Sequence, residues 1–130
     1  MTSKKASDIM TTVVVTLTPE TRLTDAIKVF LRYSVSGIPV VDDKENLIGI
    51  ITEHDIMNFA FSGNAAQTTV GEAMTHDVFT FTSDTDIESL VNCSAKHRVR
   101  RMPIVDGKRI VGIVSRRDIL REMDDRYNQF

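Results

Sequence analysis

The heptapeptide GIITEHD (Gly49–Asp55) recurs further along the chain as GIVSRRD (Gly112–Asp118). Each copy has a glycine, two aliphatic residues and a hydroxyl residue, and an aspartate follows the hydroxyl residue after two variable positions. A hydroxyl residue and an acid at this spacing, ahead of an apolar run, are typical of a capping box at the start of a helix. A single copy would need no other explanation, but two copies in matching surroundings indicate a repeated unit.

Most of the chain takes part in this repeat. A shift of 64 residues places DIMTTVVVTLTPETRL (residues 8–23) on EAMTHDVFTFTSDTDI (residues 72–87), and IPVVD (residues 38–42) on MPIVD (residues 102–106). One residue is then lost in a turn, and the two heptapeptides meet at a shift of 63. A period close to half the chain length indicates two tandem units and argues against a solenoid.

The same elements are predicted in each unit. β-branched and aromatic runs predict strands, apolar residues at helical spacing predict helices, and a proline suits the first residues of a strand. Thr85 and Glu88 also predict a capping box for the first helix of the second unit. In the first unit the predicted elements are a strand at Val13–Leu17, a helix over Leu23–Leu31, strands at Ile38–Val41 and Leu47–Ile51, and a helix from Thr52; in the second they are a strand at Val78–Phe81, a helix over Ile87–Ala95, strands at Met102–Val105 and Ile110–Val114, and a helix from Ser115.

This order predicts an α/β fold of the α+β type, with each repeat running strand–helix–strand–strand–helix. Two sheets that each carry helices on one face can pack sheet against sheet, so we expect the repeats to be related by pseudo-two-fold symmetry. The predicted boundaries are 7–60 for repeat 1 and 71–123 for repeat 2. The small polar residues between them indicate a linker over 61–70, and residues 1–6 and 124–130 are predicted to be tails.

The composition narrows the function classes. The chain has 130 residues, 42% of them hydrophobic, which is the length of one domain with a real core. A net charge of −2 creates no strong field toward DNA or an anionic membrane. Cys93 is the only cysteine, which excludes an intrachain disulfide and fits a reducing compartment. No stretch has the length of a signal peptide core or a membrane span, so we expect a cytoplasmic protein that binds neither membranes nor nucleic acids.

The heptapeptide also fits a ribose-phosphate site. A helix that begins after a strand presents free backbone N–H groups and a positive dipole end to an anion. A carboxylate at that place can accept two hydrogen bonds from a vicinal diol, as an acidic residue does in dinucleotide folds. Gly49 and Gly112 lie inside predicted strands, where a missing side chain often lets another group approach the backbone. Two interpretations therefore stay open: a helix cap alone, or a cap that also binds a nucleotide.

The two units together resemble a pair of cystathionine-β-synthase (CBS) domains, which form a Bateman module. The resemblance rests on the Met-Thr pairs at residues 10–11 and 74–75, on GIPVVD and RMPIVD, and on both heptapeptides, and it runs from about Asp8 to Met123. It implies that an adenosine-containing ligand binds in the cleft between the repeats. Asp55 and Asp118 would then hold the ribose, with Thr52 and Ser115 near the ribose or phosphate.

The resemblance also implies positions for the rest of such a ligand. Adenine would lie against the main chain around the first strand and around the proline near the start of the next strand: Thr12, Val13, His76, Asp77, Val78, Ile38, Pro39, Met102 and Pro103. Phosphate would meet Arg100 and Arg101, with Arg116 close by, whereas repeat 1 has Ser36 and Gly37 at the equivalent positions. His54 is expected to be a polar neighbour of the site.

The two repeats also differ in charge, and the difference agrees with the positions of these arginines. Repeat 1 is acidic, whereas repeat 2 carries the basic run KHRVRR (Lys96–Arg101) and the pair Arg116-Arg117. A solvated helix end explains such a run equally well, because cations suit the negative end of the helix dipole. If the arginines bind anions, the Asp118 site should prefer AMP, ADP or ATP. The Asp55 site should be weak, empty or suited to a ligand without phosphate.

These observations favour a regulatory module over an enzyme. No catalytic pair is recognisable, and His54, His76, His97 and Cys93 lack metal-ligand spacing, so neither a metal nor a catalytic cofactor is expected. The predicted function is to sense AMP, ADP or ATP and to signal through a change of conformation or partner. The expected partners are a second copy, paired through the helices, and an effector protein whose identity stays open. A ligand-free interaction scaffold is the alternative, and S-adenosylmethionine or NAD is a less favoured ligand.

Overall fold

The computed structural model of the chain describes residues 4–60 and 64–127. The two halves of the chain have the same order of elements: a short helix, a longer helix, two strands and a further helix. In chain order the elements are α1 (Ala6–Ile9), α2 (Leu23–Tyr33), β1 (Gly37–Val41), β2 (Leu47–Thr52), α3 (Glu53–Ala60), α4 (Val70–Ala73), α5 (Ile87–His97), β3 (Arg101–Asp106), β4 (Arg109–Ser115) and α6 (Arg116–Tyr127).

Two small antiparallel sheets carry the fold, and they confirm the predicted mixture of helices and strands in two repeats. β1 pairs with β2, with Gly37 opposite Thr52, and β3 pairs with β4, with Arg101 opposite Ser115. Both sheets change register at the same place, between the fourth and fifth residues of their first strand. These residues are Val40 and Val41 in β1, and Ile104 and Val105 in β3. The repeat therefore extends to the irregularities of the backbone.

The prediction of a first strand in each repeat is wrong. Val13–Leu17 contributes only a one-residue parallel bridge from Leu17 to Val40, and Val78–Phe81 only one from Phe81 to Ile104. Leu17 donates its N–H to the Pro39 carbonyl (3.0 Å), and Phe81 does the same to Pro103 (3.1 Å).

Proline explains why these bridges stay so short. The next bond of each parallel ladder would have to come from the N–H of Pro39 or Pro103, and proline has none. On the other side of the Leu17 bridge the next donor would be the N–H of residue 19, which is also a proline. The segments therefore stay extended and hydrogen-bonded at one point without forming a strand.

The predicted capping box of α5 is also wrong. The N-cap of α5 is Asp86, and its side chain makes no capping hydrogen bond. Thr85 belongs to the preceding turn instead, where its hydroxyl accepts the backbone N–H of Thr82 (3.1 Å) and its own N–H bonds to the Thr82 carbonyl (3.1 Å). A side chain used to close a turn cannot also start the helix that follows.

The contacts of the chain define two compact units whose boundaries differ from those of the sequence repeats. The inner unit is Val15–Val78, and the outer unit joins Met1–Val14 to Phe79–Phe130. The inner unit therefore contains α2, α3 and α4 with the β1–β2 sheet, and the outer unit contains α1, α5 and α6 with the β3–β4 sheet. The repeat boundaries stay a prediction, but each short helix packs in the unit of the other repeat's sheet.

Residues assigned to the linker and the tails carry structure where they are described. Ala6 is completely buried, Lys4 makes an ion pair with Glu122 (3.0 Å), and α6 continues to Tyr127. In the linker, Thr68 is buried and its carbonyl accepts the N–H of Leu23 (2.9 Å). Residues 61–63 and the ends of both tails lie outside the described residues. Over the described part of the chain, no helix combines the length and the apolar character needed to cross a membrane.

Candidate functional site

Both heptapeptides form reciprocal capping boxes. In the inner unit Thr52 donates its N–H to Asp55 Oδ2 (2.9 Å), and Asp55 donates its N–H to Thr52 Oγ1 (3.2 Å). In the outer unit Ser115 donates its N–H to Asp118 Oδ2 (2.8 Å), and Asp118 donates its N–H to Ser115 Oγ (3.2 Å). The capping interpretation is confirmed in both copies. Each box uses Oδ2 of its aspartate, so a second carboxylate oxygen is left for another partner.

The second oxygen of each aspartate has a different neighbour in the two units. Asp55 Oδ1 lies 3.4 Å from the hydroxyl of Thr75, which is a long contact. Asp118 Oδ1 accepts a 3.0 Å hydrogen bond from Arg121, whose side chain is 71% exposed, whereas that of Asp118 is 9% exposed. Asn58 occupies the position equivalent to Arg121 in the first repeat. The two carboxylates are therefore held alike through Oδ2 and differ at the oxygen that a ligand would meet.

The strand glycines make room for the Met-Thr pairs. A β-carbon at Gly49 would lie 2.7 Å from the Met74 sulfur and 2.9 Å from the Thr75 carbonyl oxygen. A β-carbon at Gly112 would overlap the Met10 sulfur and lie 3.2 Å from the carbonyl oxygen of residue 11. The expected close approach to the backbone is present, and the group that approaches is the protein's own. The strand glycines and the Met-Thr pairs, which are the clearest repeated features of the sequence, therefore contact each other.

Backbone hydrogen bonds hold these pairs beside the capping boxes. Thr75 exchanges two bonds with Ile50 (2.8 and 2.9 Å), and Thr11 exchanges two with Ile113 (2.9 and 3.0 Å). Each Met-Thr pair thus binds the strand that leads into the heptapeptide of the other repeat. The inner unit brings together Ile38, Pro39, Thr52, His54, Asp55, His76, Asp77 and Val78, and the outer unit brings together Thr12, Val13, Arg100, Arg101, Met102, Pro103, Ser115, Arg116 and Asp118.

Burial separates the candidate residues into two groups. Four apolar candidates are completely or almost completely buried, main chain included: Ile38, Pro39, Met102 and Pro103. Thr52, Asp55, Val78, Arg101 and Ser115 are half-buried. The remaining candidates apart from Asp118 are exposed: Thr12, Val13, His54, His76, Asp77, Arg100 and Arg116.

The arginines of repeat 2 occupy the positions that the alignment of the two repeats assigns to them. Arg101 is the strand partner of Ser115, just as Gly37 is the partner of Thr52. The N–H of Arg116 bonds to the Arg100 carbonyl (3.1 Å), as the N–H at position 53 bonds to the carbonyl of residue 36 (3.0 Å). Arg100 and Arg116 also line a groove between α5 and α6. Arg101 is therefore the arginine that the sheet register places beside the Ser115 cap.

Sequence reasoning missed Arg121 and the role of Thr75. Arg121 follows Asp118 at helical spacing i, i+3, where side chains meet on one face, so this neighbour was within reach of the pattern. Thr75 reaches Asp55 only because a segment of one repeat packs on the other, and no local pattern carries that information. Within residues 4–60 and 64–127, no three His, Cys, Asp or Glu side chains come together as a metal site would require.

Comparison with known proteins gives the family of both repeats. The model of the CBS domain matches residues 6–62 and again residues 70–125. The chain is 38% identical over 119 residues to inosine-5'-monophosphate dehydrogenase of Methanocaldococcus jannaschii; the match covers 91% of this chain and 23% of that protein. It is 34% identical over 113 residues to the CBS domain-containing protein YhcV of Bacillus subtilis; that match covers 86% of this chain and 80% of the relative.

A solved structure shares the fold. The crystal structure of the CBS domain pair of protein MJ0100, in complex with 5'-methylthioadenosine and S-adenosyl-L-methionine, superimposes with a TM-score of 0.85 at 28% sequence identity. The match covers 96% of this chain and 99% of the other. The likeness thus spans both repeats, whereas the chain spans less than a quarter of the length of the dehydrogenase.

Proposed function

The chain belongs to the CBS domain family, and we propose that it is a non-catalytic regulatory module that binds an adenosine-containing ligand at its two capping boxes. One observation carries the proposal. In each box the aspartate is anchored through Oδ2 by the N–H and the hydroxyl of its cap residue, at 2.8–3.1 Å. A carboxylate held in this way presents Oδ1 in a fixed direction, which suits the hydroxyl groups of a ribose.

The ligand class follows from what related sites have in common. The two ligands named for the MJ0100 domain pair share the adenosine group and differ at the 5' substituent. The ribose diol is the part of such ligands that a carboxylate can hold, because it offers two neighbouring O–H donors. We therefore assign the ribose to Asp55 in the inner unit and to Asp118 in the outer unit.

The two sites differ in their chemistry for the 5' group. Arg101 lies opposite Ser115, and a guanidinium meets phosphate with paired, directional hydrogen bonds. Gly37 lies opposite Thr52 and offers no side chain. The outer unit accordingly takes AMP, ADP or ATP, and the inner unit takes an adenosine compound without a phosphate. Arg121 has to leave Asp118 Oδ1 when the ribose binds, and its exposure makes that movement easy.

Signalling requires a partner, and the helices offer surfaces for one. Leu31, Met57, Leu120, Met123 and Tyr127 are large apolar side chains that are exposed on helices. Exposed apolar groups in such number favour association. We propose that a second copy covers them, and that ligand binding changes the contact with an effector protein.

The experiment is a thermal-shift and calorimetry panel with AMP, ADP, ATP, NAD, 5'-methylthioadenosine and S-adenosylmethionine. A ligand at about a hundred times its dissociation constant should stabilise the fold by roughly 2.7 kcal/mol. Asp118→Asn keeps the shape of the side chain and removes its charge, so it should abolish AMP binding while the protein stays folded. If none of the six compounds stabilises the protein, the ligand-free scaffold is the better interpretation.

The control is a helix cap that lies elsewhere. Thr69 caps the start of α4, where its hydroxyl accepts the N–H of Glu72 (3.4 Å) and donates to Glu72 Oε1 (3.2 Å). Glu72→Gln should lower the melting temperature and leave the dissociation constant for AMP unchanged. If Asp118→Asn behaves in the same way as Glu72→Gln, then Asp118 is only a helix cap.

A further inference from the structure

The groove between α5 and α6 of the outer unit collects three arginines that the proposed nucleotide site does not use. Arg98, Arg100 and Arg116 line this arginine groove, together with apolar side chains. Within the described part of the chain, no carboxylate lines it, and these three side chains make no hydrogen bond or ion pair. Arg121, by contrast, pairs with a carboxylate of its own helix. The arginine groove therefore presents guanidinium donors that a bound partner can use.

Helix stabilisation does not explain the three arginines. Arg98 ends α5, where a cation suits the negative end of the helix dipole, but its backbone is left-handed (φ 55°), a conformation that glycine adopts at lower cost. Arg116 is the first residue of α6, where the positive end of the dipole disfavours a cation. Arg100 belongs to neither helix. At least two of the three charges therefore bring the helices no benefit.

The inner unit builds the equivalent groove without any arginine. At the three equivalent positions, the groove between α2 and α3 has Ser34, Ser36 and Glu53. Glu53 also begins α3, where a carboxylate suits the dipole. The architecture of the repeat thus forms this groove with hydroxyl groups and one acid. Because the fold does not require arginines there, their charge indicates what the surface of the outer unit is suited to contact.

Apolar side chains form the rest of the arginine groove. Leu120 is 60% exposed, so part of this lining is in contact with water. The two residues at 94 and 95 are small, whereas the equivalent positions of α2 carry phenylalanine and leucine. In agreement with this difference, the volume is about 600 Å³ in the outer unit and about 440 Å³ in the inner one. An open groove of this size with an apolar lining is typical of a binding surface. Besides the arginines, its lining residues are Val91, Ser94, Ala95, Ile119 and Leu120.

An amphipathic helix matches the dimensions and the chemistry of this surface. The lining residues extend from 91 to 98 along α5, about 11 Å at a rise of about 1.5 Å per residue, which about two turns of another helix would cover. Helices bind in apolar grooves through side chains repeated at i, i+3, i+4 and i+7. At the polar edge, guanidinium groups select carboxylates, because the two pair through parallel hydrogen bonds. The complementary partner is therefore both apolar and acidic.

We propose that the arginine groove docks an acidic amphipathic helix of an effector protein. The apolar face of that helix packs on Ala95, Ile119 and Leu120, and its carboxylates pair with the three arginines. The existence of an effector rests on the proposed function, to which this contact adds a surface and a partner chemistry. Of the apolar residues put forward for self-association, only Leu120 lines the arginine groove, so a different chain can occupy it.

A designed peptide tests the arginine groove without any nucleotide. The probe is a capped, fluorescent peptide of about 14 alanine, leucine and glutamate residues, with leucines at i, i+3, i+4 and i+7. A second peptide has glutamine in place of glutamate, and a third has the same composition with the leucines spread around the helix. Fluorescence anisotropy with the full chain should show the tightest binding for the first peptide. The glutamine peptide should bind about tenfold more weakly, because three exposed ion pairs contribute about two- to fivefold each. Equal affinities, or no binding of the first peptide, would overturn the proposal.

Variants of the chain locate the contact. Replacement of all three arginines of the groove by alanine should weaken binding of the acidic peptide about tenfold or more. Arg117→Ala is the matched control, because this arginine is exposed and does not line the groove, and it should bind the peptide as the wild type does. Equal effects of the two changes would refute the docking surface. A single-stranded oligonucleotide that displaces the peptide at a lower concentration would assign the surface to nucleic acid and also overturn the proposal.

Two further variants separate this contact from nucleotide binding. Ala95 is exposed, so Ala95→Glu should fold normally while its carboxylate and longer side chain obstruct the arginine groove. It should abolish binding of the acidic peptide and keep the dissociation constant for AMP. Asp118→Asn should abolish AMP binding and keep the affinity for the peptide. Peptide binding that survives in Ala95→Glu would refute the docking surface alone, whereas a protein that binds the peptide and no nucleotide would refute only the proposed ligand.

Discussion

Gly49→Ala should destabilise the inner unit because Met74 and Thr75 lie where the new methyl group would be. The added β-carbon would stand 2.7 Å from the Met74 sulfur and 2.9 Å from the Thr75 carbonyl oxygen, distances that real β-carbons do not show. The sulfur can move, because a methionine side chain has several rotatable bonds. The carbonyl cannot move alone, since Thr75 is held to Ile50 by two backbone hydrogen bonds of 2.8 and 2.9 Å.

The size of the effect follows from two opposing terms. Overpacking of this kind costs about 1–3 kcal/mol. Alanine also restricts the unfolded chain more than glycine does, which offsets about 0.4–1 kcal/mol. The expected net loss is about 1–2 kcal/mol of unfolding free energy. For a chain of this length the melting temperature should fall by about 4–8 °C.

The assay is thermal and urea unfolding of four single variants and two pairs. At Gly112 the nearest atoms belong to the flexible Met10 side chain and the carbonyl lies 3.2 Å away, so Gly112→Ala should cost less than Gly49→Ala. Met10→Ala should relieve most of the loss in Gly112→Ala, whereas Met74→Ala should relieve only part of it in Gly49→Ala. The double-mutant cycle separates the side-chain contact from the carbonyl contact.

A Gly49→Ala protein that unfolds together with the wild type would contradict the predicted clash. A Met74→Ala variant that fully restores Gly49→Ala would show that the carbonyl contact is unimportant. Since Thr75 also contacts Asp55, a loss of stability should be accompanied by weaker ligand binding in the inner unit.

Three further outcomes are expected. Arg101→Ala should weaken AMP binding more than Arg117→Ala, measured by calorimetry, because only Arg101 is the strand partner of Ser115; equal effects would contradict the phosphate assignment. Arg121→Ala should strengthen binding about two- to fivefold, because an exposed ion pair worth about 0.2–1 kcal/mol no longer competes for Asp118 Oδ1; weaker binding would mean that Arg121 contacts the ligand. The hydrogen bond from Lys4 lowers the pKa of Glu122 despite burial of that carboxyl. A lowered pKa stabilises the fold above the ordinary value of 4.5, and this stabilisation is lost as the pH falls through the folded value, so acid should destabilise the wild type more than Lys4→Ala; parallel stability curves would refute the contribution.

Local patterns predicted those parts of the site that depend on residues close in sequence. The capping boxes follow from a hydroxyl residue and an acid three positions apart, and the strand pairs follow from apolar runs on either side of a short turn. The first strands were predicted from β-branched and aromatic runs alone. That prediction failed because the partner positions Pro39 and Pro103 lack the N–H that a ladder needs, and a strand's own sequence does not reveal its partner.

Pairing between the repeats lay beyond the same reasoning. The glycines and the Met-Thr pairs were each visible as repeats, but their contact joins Gly49 to Met74 and Gly112 to Met10 across repeat boundaries. The arginines show the same limit: Arg100 and Arg101 are adjacent in sequence, yet Arg100 lines the helix groove and Arg101 pairs with Ser115. On an extended chain, the side chains of neighbouring residues point to opposite faces and so meet different surroundings.

Each short helix packs in the unit of the other repeat's sheet, so we expect the inner unit, rather than the sequence repeat, to fold by itself. Val70 and Ala73 of α4 are buried in the core around β1 and β2, and Met74 covers Gly49. The fragment Val15–Val78 keeps these contacts, whereas the equally long fragment of residues 7–70, which is repeat 1 with its linker, lacks Ala73 and Met74 and cannot form α4. A domain this small has little apolar burial to spare. The first fragment should therefore show a cooperative urea transition by circular dichroism and the second should not; a more stable 7–70 fragment would show that the sequence repeat, rather than the inner unit, is the folding unit.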